Sequence, residues 1–296
     1  MTIQQWVEQS ALALPKASQL IFAAMSPQTN LDPLSFISSH GQDKLTLDQI
    51  RTLDHWHERL NQGEPLQHIL GRAQFGDLTL KTDSRALIPR QETEELIVHV
   101  IRHLESTRDP VTIADIGTGA GPIALSLAQW LSQHNHGAKI IATDISQDAL
   151  ELASDNFKNL KFLAPRSSKS GVGKIKNSDV HISFRQGSLL MPLDEPVDVI
   201  VANLPYIPSH WLEKIDKSVV DYEPLVALDG GTEGLDLITE MLADAPRVLK
   251  PGGKIFLEIW HEHTPAHFET FSKFETDLKY DSFGRMRFAV MQLRKP

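Results

Sequence analysis

The sequence predicts an α/β protein: a mostly parallel, doubly wound sheet with helices on both faces, behind a smaller helical N-terminal part. Three observations predict it. From Val111 onward, short apolar runs rich in β-branched residues alternate with stretches of helical periodicity, and that alternation implies parallel strands joined by crossover helices. Before that, apolar residues recur at helical spacing without β-branched runs. The length, 296 residues, suits one large domain plus a small one.

In order, "IQQWVEQSALAL", "PKASQLIFAAM" and "TLDQIRTLDHWHERLNQG" read as helices, with Pro33 and Gly41 as punctuation. A hairpin is expected in "FGDLTLKTDSRALI", Phe75 to Ile88, where period-two alternation surrounds polar turn residues. "ETEELIVHVIRHLES" returns to helix. "VTIADIG", "KIIATDI", "VHISFRQ", "VDVIVAN" and "KIFLEIW" read as strands. "GPIALSLAQWLSQ", "SQDALELASDNFKN" and "LDLITEMLADAPRVL" read as helices, the last closed by "KPGG". From about Asp277 to Leu293, two strands joined through "DSFG" would form an antiparallel edge. The expected domains are 1–74, helical; 75–90, a hairpin linker; and 91–296, the α/β domain. "FKNLKFLAPRSSKSGVGKIKNS", Phe157 to Ser178, holds six basic residues and no acid. It reads as a solvated surface insertion, or as a docking patch for an acidic partner.

Composition excludes several classes. Apolar and charged contents of 41% and 23% are those of a soluble globular chain. A net charge of −9 opposes nucleic-acid binding. There is no cysteine, hence no disulfide, thiolate metal site or cysteine nucleophile. No apolar run approaches the roughly 20 residues that span a bilayer. The N-terminus has no basic-then-apolar signal pattern, so a cytoplasmic location is expected.

The cofactor signal is "ADIGTGAGPIAL". Gly117, Gly119 and Gly121, with Thr118 between the first two, follow a strand and open a helix, and Asp115 ends the strand. Glycines allow a sharp turn and close approach of backbone to ligand. A dinucleotide site would want a third glycine where Pro122 stands, which argues for a nucleoside without pyrophosphate. Asp144 ends the next strand and can accept from both ribose hydroxyls. Two acids also suit a cationic ligand, so the sulfonium S-adenosylmethionine fits better than NAD. The same glycines would also serve a plain strand-to-helix turn.

The second signal is "VANLPYIP". It delivers Asn203 to the same sheet edge as Gly117 and Asp144. Asn203 offers a side-chain carbonyl, Leu204 and Pro205 leave backbone carbonyls free, and Tyr206 offers a flat face with a polar tip. Together they make a slot for a planar –NH2 group, whose lone pair is aimed at an incoming methyl. No base is needed before attack. Orientation supplies most of the effect, on the order of 7–11 kcal/mol in favourable cases. A proline-stiffened loop with an Asn turn cap is the plainer reading.

These residues resemble a known family. "NLPY" is similar to the N-P-P-Y signature of amino-methyltransferases. "LIPRQETEEL", Leu87 to Leu96, closely resembles a segment of the protein-(glutamine-N5) methyltransferases that act on peptide chain release factors. "GEPLQHILGRAQFGDLTL", "DIGTGAGPIALSLA" and "YEPLVALDGGTEGLD" resemble further stretches of that family, in the same order, over about residues 60–260. The resemblance implies a Rossmann-like, seven-stranded class I methyltransferase sheet and a helical N-terminal domain that helps hold the substrate. The donor would be S-adenosylmethionine. The substrate would be the glutamine of the Gly-Gly-Gln loop of class I release factors, with no membrane or direct nucleic-acid partner. By position, Asn203 and the Leu204 carbonyl would hold the glutamine amide, with Pro205 and Tyr206 completing the catalytic corner. Asp115, Gly117, Thr118, Gly119, Gly121 and Asp144 would bind the cofactor, together with Asn203 and with Ser188 at the adenine.

Arg90 and Glu92 read as a structural ion-pair corner. Departures from the family are Leu204 and Gln91 in place of prolines, Leu225 in place of arginine, and "WHEHTPAHF" in place of a glycine-containing turn. "NLPY" also resembles the ribosomal RNA adenine dimethyltransferases, so an N6-adenine methyltransferase acting on RNA or DNA is the alternative. Domain order and acidic charge oppose it. A non-catalytic binding module is disfavoured because both motifs survive. His263 and His267, with His261 and Glu262 nearby, are too few fixed ligands for a metal, so none is expected.

Overall fold

A computed structural model describes residues 1–26, 29, 31–107, 110–160, 172–174 and 178–294. In chain order, helices α1 (Ile3–Ser10), α2 (Leu14–Met25), α3 (Pro33–His40), α4 (Leu47–Asn61) and α5 (Leu66–Leu70) precede strands β1 (Arg72–Phe75) and β2 (Leu78–Lys81). Then come α6 (Gln91–Leu104), β3 (Val111–Ile116), α7 (Pro122–Gln133), β4 (Ala138–Asp144), α8 (Gln147–Asn159), β5 (Val172–Lys174), β6 (Val180–Gln186) and β7 (Val197–Ala202). The chain continues through α9 (Lys217–Val220), α10 (Asp236–Val248), β8 (Leu249–Glu258), α11 (Pro265–Glu269), β9 (Phe274–Tyr280) and β10 (Met286–Leu293). No described helix is long and apolar enough to cross a membrane.

The chain divides into two compact units. One is Met1–Arg72 with Lys217–Tyr222; the other is Ala73–Asp216 with Glu223–Pro296. The first boundary thus falls two residues before the expected 74, and a short segment from the middle of the chain joins the helical unit. In that unit the core is Ile3, Trp6, Leu20, Ile21, Phe36 and Leu53. Thr2 with Gln5, and Thr46 with Gln49, form capping boxes on α1 and α4, each satisfying two orphan backbone donors. Helix α3 was not expected, because Pro33 reads as a breaker. Here Pro33 starts the helix instead: Asp32 caps it, accepting from Leu34 N and Ser35 N at 3.0 and 3.1 Å, and proline is well suited to the first helical position.

In the second unit the described strands form one eight-stranded sheet, in the order β5-β6-β4-β3-β7-β8-β10-β9. β6, β4, β3, β7 and β8 run parallel; β10 pairs antiparallel with both β8 and β9, as the "DSFG" reading anticipates. β6, β4, β3, β7, β8, β10 and β9 are the seven strands expected, and β5 adds one more at the edge. Val172–Lys174, inside the basic insertion, pairs antiparallel with His181–Ser183. Most of that insertion, residues 161–171 and 175–177, lies outside the described residues.

Two local readings shift. The hairpin spans Arg72–Lys81, earlier than Phe75–Ile88, and turns at Gly76. Pairing stops after Lys81 because Asp83 folds onto Arg85, accepting from its N and Nε at 3.2 and 2.8 Å. "KPGG" is not a helix stop but an excursion within β8: Leu249 pairs with Val197 and Lys254 with Val199. Four residues are thereby extruded from the ladder without ending the strand.

The order in which strands are added reverses at β3, which has β4 on one side and β7 on the other. In doubly wound sheets ligands bind beyond the carboxyl ends at such a switch point. Register makes this concrete. Ile116 is level with Thr143 and with Ala202, Asp144 with Gln186, and Ala202 with Leu257. Gly117, Asp144, Asn203 and Glu258 therefore emerge side by side.

Candidate active site

Beyond those strand ends lies a cavity of about 1100 Å³, open mouth included. Its floor is Ile116–Ala120 and Asn203–Pro205. One wall is Asp144–Ser146 with Gly187–Leu189, and the other is the loop Arg85–Arg90 with Thr93.

The glycine loop is shaped by packing as well as by the space it leaves. Gly117 has φ +71°, and a Cβ there would sit 3.1 Å from Leu204 Cδ2, so Leu204 lies directly over the loop. Thr118 N donates to Thr143 O at 2.9 Å, and Gly119 N donates to Asp144 Oδ2 at 2.9 Å. Asp144 Oδ1 accepts from Ser146 N at 2.9 Å. The Asp144 carboxylate keeps acceptor capacity for a ligand, and burial pushes it above the usual range.

Asp115 sits differently from its expected role. It is fully buried and does not line the cavity. Its Oδ2 accepts from Thr118 Oγ1 at 2.7 Å and Ala124 N at 3.0 Å. Its Oδ1 is buried and has no hydrogen-bond partner among the described residues. Burial pushes its carboxyl up to about 7, with the Asp144 charge adding to the rise. Asp115 thus holds the loop from beneath. Gly121 is likewise off the cavity wall: a Cβ would press on Leu125 and Ala153 at 3.1–3.3 Å, so this glycine lets α7 pack on α8.

These residues suit S-adenosylmethionine. A nucleoside fits the glycine turn and the acceptor capacity of Asp144, and Ser188 stands on the adjoining wall. A cation fits beside the Asp144 carboxyl, which lines the cavity.

At the second motif, Asn203, Leu204 and Pro205 line the cavity, whereas Tyr206 stands behind it. The Tyr206 hydroxyl donates to Glu258 Oε1 at 2.8 Å, and its ring centroid lies 6.3 Å from that of Trp260. Burial, with Glu258 beside it, pushes the phenol well above its usual range, so it stays neutral. Asn203 Nδ2 donates to Thr93 Oγ1 at 2.9 Å, and Thr93 Oγ1 donates to Glu258 Oε2 at 2.8 Å.

Sequence reasoning missed three supports. Thr93 and Glu258 hold the Asn203 corner; the signal available was an acid inside the apolar strand "KIFLEIW". Glu223 clamps the cavity loop, accepting from Ile88 N at 2.7 Å and Arg90 Nη2 at 2.5 Å. Arg90's ion-pair partner is therefore Glu223, not Glu92. Finally, Gly230 and Gly234 back the corner. A Cβ at Gly230 would lie 2.7 Å from Pro205 O, and one at Gly234 would overlap Tyr206 O. The "YEPLVALDGGTEGLD" stretch thus serves the site from two sides. His263 Nε2 bonds Glu233 O at 2.9 Å and His267 Nδ1 bonds Thr264 Oγ1 at 2.9 Å, so each ring has a structural partner.

The chain is similar to known proteins along most of its length. Residues 108–280 match the family model for a methyltransferase domain, and residues 16–71 match that for a PrmC N-terminal domain. The release factor glutamine methyltransferase of Lactococcus lactis is 36% identical over 250 residues, covering 83% of this chain and 84% of its own.

The chain belongs to the release factor glutamine methyltransferase family.

The namesake enzyme of Streptococcus pneumoniae is 32% identical, with 88% and 87% covered. The human MTRF1L release factor glutamine methyltransferase is 32% identical, with 85% and 74% covered. Membership in this family extends over both units, since the two matched regions lie on either side of the hairpin.

Proposed function

We propose that the protein transfers a methyl group from S-adenosylmethionine to the side-chain amide nitrogen, N5, of the glutamine in the Gly-Gly-Gln loop of class I peptide chain release factors. The observation that carries this is the Asn203 corner: an amide tied at its nitrogen to Thr93 and set at a strand end level with the cofactor loop, in a chain of this family.

When bound, S-adenosylmethionine supplies a methyl group made electrophilic by the sulfonium. Gly117, Thr118, Gly119, Asp144 and Ser188 would hold it, with Asp115 acting from beneath. Asn203 Oδ1 and the Leu204 carbonyl accept the two hydrogens of the substrate –NH2. Two acceptors fix the plane of the amide and turn its nitrogen toward the donor. Tyr206 stays neutral and stiffens the corner from behind. The amide nitrogen loses its proton to solvent after transfer, so no side chain need act as a base. The helical unit contributes to holding the factor.

Incubation with labelled cofactor, a class I release factor, its Gln-to-Ala loop variant, and ribosomal RNA tests the reading. Label on the unmodified factor alone is expected; label only on RNA, or equally on both factors, overturns it.

A further inference from the structure

We propose that Thr93 and Glu258 are positioning residues that set which atom of the Asn203 amide faces the substrate. This rests on the proposed amide-nitrogen chemistry. The argument is one of hydrogen-bond direction. An ionised carboxylate only accepts. Glu258 is 1% exposed and takes one hydroxyl on each oxygen: Tyr206 on Oε1 and Thr93 on Oε2, both at 2.8 Å. Thr93 has a single proton, and giving it to Glu258 leaves Oγ1 as the acceptor for Asn203. The group presented to it at 2.9 Å must then be the Nδ2 donor. The Asn203 carbonyl is left for the cavity that Asn203 lines. One buried charge thus dictates, through one hydroxyl, that an acceptor rather than a donor meets the incoming –NH2.

The arrangement is built into the fold at three points. Register sets Glu258 level with Asn203 on the neighbouring parallel strand. Thr93 is 3% exposed in the first turn of α6. Burial raises the Glu258 carboxyl above its usual range, and the hydroxyl donors Thr93 and Tyr206, then the buried Arg287, favour its ionised form. With an uncharged partner that can also donate, Thr93 can turn its proton toward Asn203. The amide can then flip and offer its –NH2 to the substrate's –NH2, a donor facing a donor.

The test compares full-length Thr93→Val, Thr93→Ser and Glu258→Gln with the parent, and Thr93→Val with and without Asn203→Ala. For methylation of a release factor, Thr93→Val and Glu258→Gln are expected to lower kcat roughly 10–100-fold, the size of one misdirected buried hydrogen bond. KM and cofactor Kd should move less than about threefold. Thr93→Ser should return kcat to within about threefold of the parent. Because Thr93 acts through Asn203, Thr93→Val should cost less than about twofold in the Asn203→Ala background. A Thr93→Val kcat within about twofold of the parent, or its full penalty without Asn203, overturns the proposal. Should the parent not methylate the factor at all, the proposed function fails, and side-chain amide NMR on ¹⁵N-asparagine protein decides the network separately. The Asn203 –NH2 pair, identified by its absence in Asn203→Ala, should exchange slowly in the parent and Thr93→Ser and rapidly in Thr93→Val. Equal exchange in all three would contradict it.

Discussion

Asp115→Asn should make the free protein more stable relative to the parent as pH rises. The Asp115 carboxyl is fully buried, and burial lifts it from its ordinary 3.8 to about 7. The fold therefore favours the neutral form. That contribution is whole below about pH 4 and is lost as pH rises through about 7. The lift is roughly a thousandfold in proton affinity, or about 4 kcal/mol at full ionisation. Between pH 5 and pH 8 the part still to be lost is about 2–3 kcal/mol. Asparagine keeps an acceptor for Thr118 Oγ1 and Ala124 N but carries no charge. It sets an –NH2 where the unpartnered Oδ1 now lies, a fixed penalty of about 1–3 kcal/mol at every pH. The difference in stability, variant minus parent, should thus move by about 2–3 kcal/mol in the variant's favour from pH 5 to pH 8. Urea denaturation of both proteins without cofactor at the two pH values measures it. A difference independent of pH would refute a strained, ionising Asp115. The same substitution should weaken binding of the cationic cofactor and flatten its rise between pH 6 and pH 8, which calorimetry would follow.

Asn203→Ala should leave cofactor Kd within about twofold and lower turnover by a hundredfold or more, since both an acceptor and its alignment are lost; single-turnover assays separate the two. Glu223→Ala should cost about 2–3 kcal/mol, because it strands Ile88 N–H and leaves Arg90, only partly exposed, without its partner. Denaturation midpoints check it, and a loss under 0.5 kcal/mol would mean that the clamp is idle. Gly234→Ala should depress both stability and activity, because φ is +71° there and the new Cβ meets the Tyr206 carbonyl. Gly252→Ala, with open space around it and a similar φ of +83°, isolates the backbone cost in a parallel melt.

Much of this was legible because periodicity and motif agree along the α/β part. "VHISFRQ" coincides with β6 residue for residue, and the strand tips carrying Gly117, Asp144 and Asn203 follow from chain alternation alone. The helical part was less legible where local chemistry inverted a cue. Pro33 starts a helix because Asp32 precedes it, and "KPGG" is extruded from a strand that pairs with β7 both before and after it. The site's supports were hidden for a different reason. Thr93, Glu223 and Glu258 meet their partners across 110, 135 and 165 residues of chain, and no local pattern encodes such pairings. Asp115 and Gly121 were recognised as part of the motif, but only the packed structure separates holding the loop from lining the cavity.

The central claim is that Asn203 and its neighbours present acceptors to a glutamine –NH2. Mass spectrometry of a class I release factor, treated with the protein and S-adenosylmethionine, tests it most directly. A single added methyl on the side-chain amide of the Gly-Gly-Gln glutamine, absent with Asn203→Ala, is the expected result. No methylation of that glutamine, or undiminished methylation by Asn203→Ala, would contradict the account.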